Sequence, residues 1–266
     1  MKPFGSKIKI FIACHKKIPV LKTRIFTPIQ TGRANSPFNL HMIGDDTGDN
    51  ISYKDKHYAE LTVHYWVWKN IPKDIEWVGF FHYRRYLNMA ASIYSPDAFF
   101  KSNRASCKKF GWYDKYILNF CKDYDIILPR AFNDLFVNTR NNYEQYCKYH
   151  IQKDLDLLIE TVKKKYPSYS NSIDKVMNSE TIHFHNIFIM KREIFDNYME
   201  FLFSILFEME NKIDLRDPIY NPPSYQKRVL AFMGERLLDI YLERLKETES
   251  NLRIRELPVM RLIIIK

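Results

Sequence analysis

The chain has 266 residues, 46% of them hydrophobic, and 41 basic against 31 acidic side chains give it a net charge of +10. That length and content suit one folded domain with an ample core, and the charge favours anionic partners such as nucleotides, nucleic acid, phospholipid head groups or lipid-linked phosphates. Seven glycines beside 19 Phe and 18 Tyr argue against a repeat protein or long flexible linker, and no G-x-x-x-x-G-K or G-x-G-x-x-G run supplies a P-loop or a dinucleotide fingerprint.

In chain order, 7–13 (KIKIFIA) reads as a first core strand, followed by polar Cys14, His15 and Lys16. Residues 28–52, punctuated by Gly, Asn, Asp and Pro, read as a long loop, and loops of that length are usually functional. Leu61, Tyr65 and Trp68 at helical spacing predict a helix over 58–70 that stops at Pro72. The run 77–87 (WVGFFHYRRYL) then predicts a buried strand ending abruptly in His82, Tyr83, Arg84, Arg85 and Tyr86. Further strands are expected at 125–129 (DIILP), 185–190 (HNIFIM) and 259–265. Helices are expected over 143–165, from Ile194 to Met209 and over 224–246, the last interrupted or bent near Gly234, with 167–179 as a connection. Strands alternating with helices predict an α/β fold with a mostly parallel sheet and no linker that divides 1–266.

One imidazole and two adjacent guanidinium groups at the end of a buried strand predict an anion site, of phosphate or diphosphate type; a solvated or ion-paired surface cluster is the plainer alternative. The loop IGDDTGDNIS holds Asp45, Asp46 and Asp49 among two glycines, where carboxylates bind a metal, orient sugar hydroxyls, act as a base or close an Asx turn; it lacks the EF-hand spacing. Asp123 and Asp125 form a D-x-D, yet it stands before a strand rather than after one, which favours strand-start solvation over metal binding. His150 and Asp154 stand one helical turn apart, as in a His–carboxylate pair. His183 and His185 at strand spacing would face one cleft, too few ligands for a zinc site. Glu235, after Gly234, would open a new helix and project a carboxylate able to deprotonate a hydroxyl; an ion pair with Arg228 is the alternative. Cys14, Cys107, Cys121 and Cys147 show no C-x-x-C or zinc spacing, no secretory signal stands at the N-terminus, and no apolar run nears the roughly 20 residues that span a bilayer. Reduced thiols in a cytosolic protein, with at most peripheral membrane contact, are expected.

Taken together, IGDDTGDNIS, ELTVHYWVWKN, VGFFHYRRYL, HNIFIMKREIF and FMGERLLDIYL resemble a bacterial family of polysaccharide-biosynthesis glycosyltransferases from capsule, exopolysaccharide and O-antigen gene clusters. The resemblance covers about 7–245. It implies a GT-A-like fold with a helix-rich C-terminal half, a UDP-sugar donor and a lipid-linked glycan acceptor. Some members resemble inverting galactofuranosyltransferases that use UDP-galactofuranose. By the same likeness His82, Arg84 and Arg85 stand where GT-A enzymes keep D-x-D, so fixed cations would stabilise departing UDP and no divalent metal or other cofactor is expected. Ala13, Cys14, His15, Gln30, Gly32 and Arg33 would hold the nucleotide, and Asn186 with His185 would face donor or acceptor sugar. Glu235, or else Asp45, Asp46 or Asp49, would take the acceptor proton. The expected place is the cytoplasmic face of the inner membrane, against anionic lipid and without nucleic acid. The rival is a non-catalytic basic module that binds nucleic acid or an anionic membrane, which requires its Lys and Arg on one exposed surface with aromatics between them.

Overall fold

The computed structural model describes residues 7–92, 94–133 and 138–263. In chain order the strands and helices of its first half are β1 (Ile8–Cys14), β2 (Phe26–Gln30), β3 (Ile43–Gly44), α1 (Asp55–Tyr58), α2 (Leu61–Asn70), β4 (Trp77–His82), β5 (Arg85–Leu87), β6 (Ala98–Phe100), α3 (Arg104–Lys109), α4 (Asp114–Cys121) and β7 (Ile126–Pro129). Then follow β8 (Phe132–Asn133), α5 (Asn142–Tyr149), α6 (Gln152–Lys165), α7 (Ser170–Asn178), β9 (Thr181–Ile182), β10 (Phe188–Lys191), α8 (Arg192–Lys212), α9 (Val229–Thr248), β11 (Ile254–Leu257) and β12 (Val259–Leu262). The main sheet runs β11-β7-β10-β4-β1-β2-β3, with β5, β6 and β12 attached beside β4. Along that path the pairs are parallel except around β10, which runs against both β4 and β7, and the attached β5 runs against β4 and β12. This is the mostly parallel α/β sheet expected from the alternation of elements, and five helices between 142 and 248 make the C-terminal half helix-rich.

Because strand side chains alternate in direction, each central strand feeds two cores. Ile8, Ile10 and Ile12 of β1 join one core with Phe81, Ile127 and Ile189, while Phe11 joins the other with Phe80, Ile126, Phe188 and the buried faces of α2, α8 and α9. Gly79 sits between these layers where a Cβ would lie 2.7 Å from Ile189 Cγ1 and 3.2 Å from Ile10 Cγ1. The four thiols are unpaired, and burial pushes those of Cys14 and Cys121 up to about 12.

Four local expectations are corrected. The 28–52 stretch contains the end of β2 and all of β3. The helix expected over 143–165 is two helices, because His150 and Ile151 adopt extended backbone between α5 and α6. The 167–179 connection is largely helical and contains α7. Finally, α9 runs unbroken through Gly234, where a Cβ would meet Leu61 Cδ1 at 2.9 Å and Asn186 Oδ1 at 3.2 Å; the glycine is there for close packing, not for a break. Of the terminal run, Ile264 and Ile265 lie outside the described residues.

Candidate active site

β1 and β4 run side by side in one direction with Ala13 opposite His82, so their C-terminal ends open on the same sheet edge, where α/β folds collect ligands. The chain reverses at once, since His82 pairs with Arg85 at the start of β5. Tyr83 in this turn is fully buried, and its N–H donates to the Ala13 carbonyl at 3.1 Å. Arg84 is left exposed with its guanidinium 5.1 Å from the Tyr83 ring. A buried tyrosine thus fixes an arginine hairpin to the first strand.

Beside the hairpin lies a cavity of about 650 Å³, bounded by Ala13, His15 and Lys16 around the end of β1 and by Thr31 and Asn35 after β2. Six basic side chains line it, Lys16, Lys56, Arg84, Arg85, Lys227 and Arg228, against two carboxylates, Asp55 and Glu60. Such an excess of fixed cations suits a multiply charged anion.

A second cavity of about 320 Å³ adjoins it, and Glu60, His82, Arg85 and Arg228 line both. Glu60 immediately precedes α2; its carboxylate accepts from Asn186 Nδ2 at 2.8 Å and pairs with Arg228 Nη2 at 3.4 Å. The other wall is α9, which points Glu235 into this smaller chamber. Glu235 Oε1 accepts the backbone N–H of His185 at 2.7 Å, and Oε2 has no partner among the described residues. His185 and Asn186 both have positive φ, 83° and 51°, which turns that N–H toward α9.

The electrostatics separate the carboxylate from the imidazoles. Desolvation raises Glu235 to about 7, against the opposing pull of Arg236 and the His185 N–H. The histidines of the smaller chamber are driven the other way. Burial, then Arg85, lowers His82 to about 2 and His185 to about 3, and burial with Arg236 and Arg228 lowers His150 to about 4. The site therefore sets neutral imidazoles and a carboxylate raised toward neutrality beside a cluster of guanidinium groups.

A family model described as a domain of unknown function, DUF4422, matches residues 9–247. The chain belongs to the DUF4422 family. Among solved structures, the DUF4422 chain is similar to that of an apo bifunctional glycosyltransferase, WbbM, at 33% identity and a TM-score of 0.88. The match covers 97% of this chain and 45% of the WbbM chain, so this chain spans about half the length of that protein. No curated protein matches. The architecture is accordingly GT-A-like.

Not every residue singled out in the DUF4422 sequence reaches the cleft. Ala13, His15, His82, Arg84, Arg85, His185 and Glu235 line the two chambers. Asn186 lines neither chamber: it is 2% exposed and its amide donates to Glu60 from beneath. Cys14 and Gln30 are buried too, Gln30 bonding to the backbone of Phe38 and Leu40. Arg33 turns to the Met42 carbonyl and to Asp46.

The acidic loop is a clasp. Asp45 is fully buried and accepts from the N–H groups of Gly32 (2.9 Å) and Arg33 (3.0 Å) and from the hydroxyls of Ser52 and Thr62 (both 2.5 Å). Gly32, at φ 61°, belongs to this clasp, which pins the end of β2 to α2. Asp49 accepts from the Tyr65 hydroxyl at 3.0 Å, and Asp46 pairs with Arg33. None of the three loop carboxylates lines either chamber.

Other pairings dissolve for equally local reasons. His150 lies outside the helix that carries Asp154, so the two do not pair; Asp154 accepts from Tyr220 instead. His183 and His185 part because the backbone between them is not a strand, and His183 is held by Asp239 at 2.6 Å and Glu256 at 3.2 Å. Asp125, just before β7, is buried in ion pairs with Lys191 and Arg253 rather than solvated as a strand-start residue was expected to be. Glu235 stands inside a helix rather than at its start, and Arg228 takes Glu60 as its partner. Sequence reasoning missed Glu60, although ELTVHYWVWKN contains it, and it met Arg228 only as an ion-pair candidate for Glu235.

Proposed function

We propose that this chain is a glycosyltransferase that moves a sugar from a UDP-sugar, with inversion and without a divalent metal, onto a lipid-linked surface-polysaccharide intermediate. The observation that carries this reading is the shared wall: Glu235 opens into the small chamber, while Arg85 and Arg228 face both it and the large cationic one. The donor diphosphate fits the large chamber against Arg84, Arg85 and Arg228. The acceptor hydroxyl fits the small chamber at Glu235 Oε2. In the transfer step the hydroxyl gives its proton to Glu235 while its oxygen forms the bond to the anomeric carbon. The bond from that carbon to the diphosphate breaks, and its electron pair leaves on UDP, whose charge the guanidinium groups hold. Base and cation cluster lie on opposite sides of the anomeric carbon in this arrangement, which is the geometry of inversion. The similarity to WbbM, a bifunctional glycosyltransferase, supports the reaction class.

The resemblance in the motifs makes galactofuranose the first donor sugar to test. A cytoplasmic position at the inner membrane face is part of the proposal; no described helix is long and apolar enough to cross a membrane. Titrating the protein with UDP, UDP-galactose, UDP-galactofuranose and a random oligonucleotide, each over a series of salt concentrations, tests the reading. Saturable nucleotide binding that Arg85→Ala weakens by roughly ten- to a hundredfold is the expected result. Steeply salt-dependent oligonucleotide binding with none to UDP would establish the basic-module rival instead.

A further inference from the structure

The small chamber has an outer half that the transfer step does not use. Glu235 and Phe232 sit on adjacent turns of α9, with Phe232 only 5% exposed, whereas Tyr149 is 44% and Tyr225 60% exposed. All of them line the same cavity. The two tyrosines come from opposite sides: Tyr149 ends α5, just before the break at His150, and Tyr225 begins the 3₁₀ turn Tyr225–Arg228 that leads into α9. Gln226 fastens these segments together, its Nε2 donating to the Tyr149 carbonyl at 2.9 Å and its Oε1 lying 3.2 Å from His150 Nδ1.

The rings form an ordered array. His150 stacks on Phe232 with centroids 4.1 Å apart, and Tyr225 packs on Phe232 at 4.9 Å, its remaining surface open. Polar groups punctuate the array. The amide oxygen of Gln145 accepts from the buried Arg236 guanidinium, and neither the Gln145 amide nitrogen nor His150 Nε2 has a partner among the described residues. The rings themselves bear no charge, and two cations flank them, the Arg228 guanidinium 5.6 Å from the Phe232 centroid and the Lys148 ammonium 5.8 Å from that of Tyr149.

On the reading of this cleft as a transferase site, we propose that the lip formed by Tyr149, Tyr225, Phe232 and His150 is an acceptor subsite for a saccharide chain of at least two residues. The apolar face of a pyranose or furanose ring packs on aromatic surface, while its hydroxyls bond to neutral groups that both donate and accept. Depth assigns the order. The terminal residue reaches Glu235 at the floor, and the penultimate residue lies against the exposed rings of Tyr149 and Tyr225. A lone monosaccharide would fill the inner half only.

The test is calorimetry of the intact protein, first with UDP and then, at saturating UDP, with methyl glycosides of galactose, glucose and mannose and with the corresponding disaccharides. Wild type is expected to bind at least one disaccharide roughly tenfold more tightly than its monosaccharide. Tyr225→Ala and the Tyr149→Ala/Tyr225→Ala pair are expected to lose that advantage with UDP affinity unchanged, and Tyr225→Phe to keep it. Both tyrosine side chains are exposed, and circular dichroism checks that the variants fold. Binding of UDP with no preference for any disaccharide, or a preference that survives in the double variant, would overturn the lip alone. Absence of UDP binding by wild type would overturn it together with the donor reading.

Discussion

The backbone N–H of His185 donates to Glu235 Oε1 across 2.7 Å, so a residue held at φ 83° in one loop aims the carboxylate of a helix fifty positions later in the chain. That single bond leaves the second carboxylate oxygen to face the chamber, and desolvation brings the group to about 7.

A base must be ionised to act. Activity is therefore expected to rise with pH through about 7 and to level off above it. Glu235→Gln should cut turnover by about 10² or more with UDP affinity retained. Asp45→Asn, by contrast, should act on stability, because its carboxylate closes a buried clasp of four hydrogen bonds. Asp46→Asn and Asp49→Asn should leave turnover near normal. Loss of turnover in one of these loop variants with a normal fold, and not in Glu235→Gln, would move the base to the loop.

The same shift has a price in folding. A carboxyl whose native pKa is raised contributes most at acid pH, and that contribution is lost as pH climbs through the native value of about 7. Glu235→Gln is thus expected to be more stable than wild type at pH 8, by roughly 1 to 3 kcal/mol, and no more stable at pH 4. Urea titrations at the two pH values check the sign.

His183 supplies a second pH-dependent contact, far from chemistry. Burial alone would lower its pKa, but Asp239 and Glu256 raise it to about 9. Its contribution is whole below about pH 6.5, the unfolded value, and disappears as pH rises to about 9. Asp239→Asn should cost about 2 to 3 kcal/mol at pH 6 and much less at pH 9. An equal loss at both would show that the imidazole is not charged in the folded protein.

Arg84→Ala and Arg85→Ala are each expected to weaken UDP by about 1.5 to 3 kcal/mol, the scale of a charge-assisted hydrogen bond. Arg85 lines both chambers and Arg84 the large one alone, so loss of Arg85 should lower turnover more. Transfer should persist in EDTA; strict dependence on manganese or magnesium would redirect attention to Asp55 and Glu60 in the large chamber.

Gly234→Ala sets two local effects against each other. Alanine gains about 1 kcal/mol of helix propensity, while its Cβ would press on Leu61 at 2.9 Å and on Asn186 Oδ1 at 3.2 Å. Stability should change little. Activity should fall, because Asn186 holds Glu60 at the wall between the chambers, and a variant with full kcat and KM would refute that linkage.

The strands around β1, β4, β7 and β10 and the arginine cluster at the end of β4 were determined by sequence alone, because a short apolar run and a charge cluster are local properties that survive without knowledge of their neighbours. The amphipathic stripe of α8 is legible for the same reason. Tertiary structure decided the rest. Gly234 marks a break by propensity, and only the approach of Leu61 and Asn186 shows that it is a contact. Asp45 has the composition of a ligand and becomes a clasp once Gly32, Ser52 and Thr62 converge on it. Glu60, Arg228, Tyr149 and Tyr225 carry no joint signal in the chain, since they meet through packing between segments that pattern and spacing cannot relate.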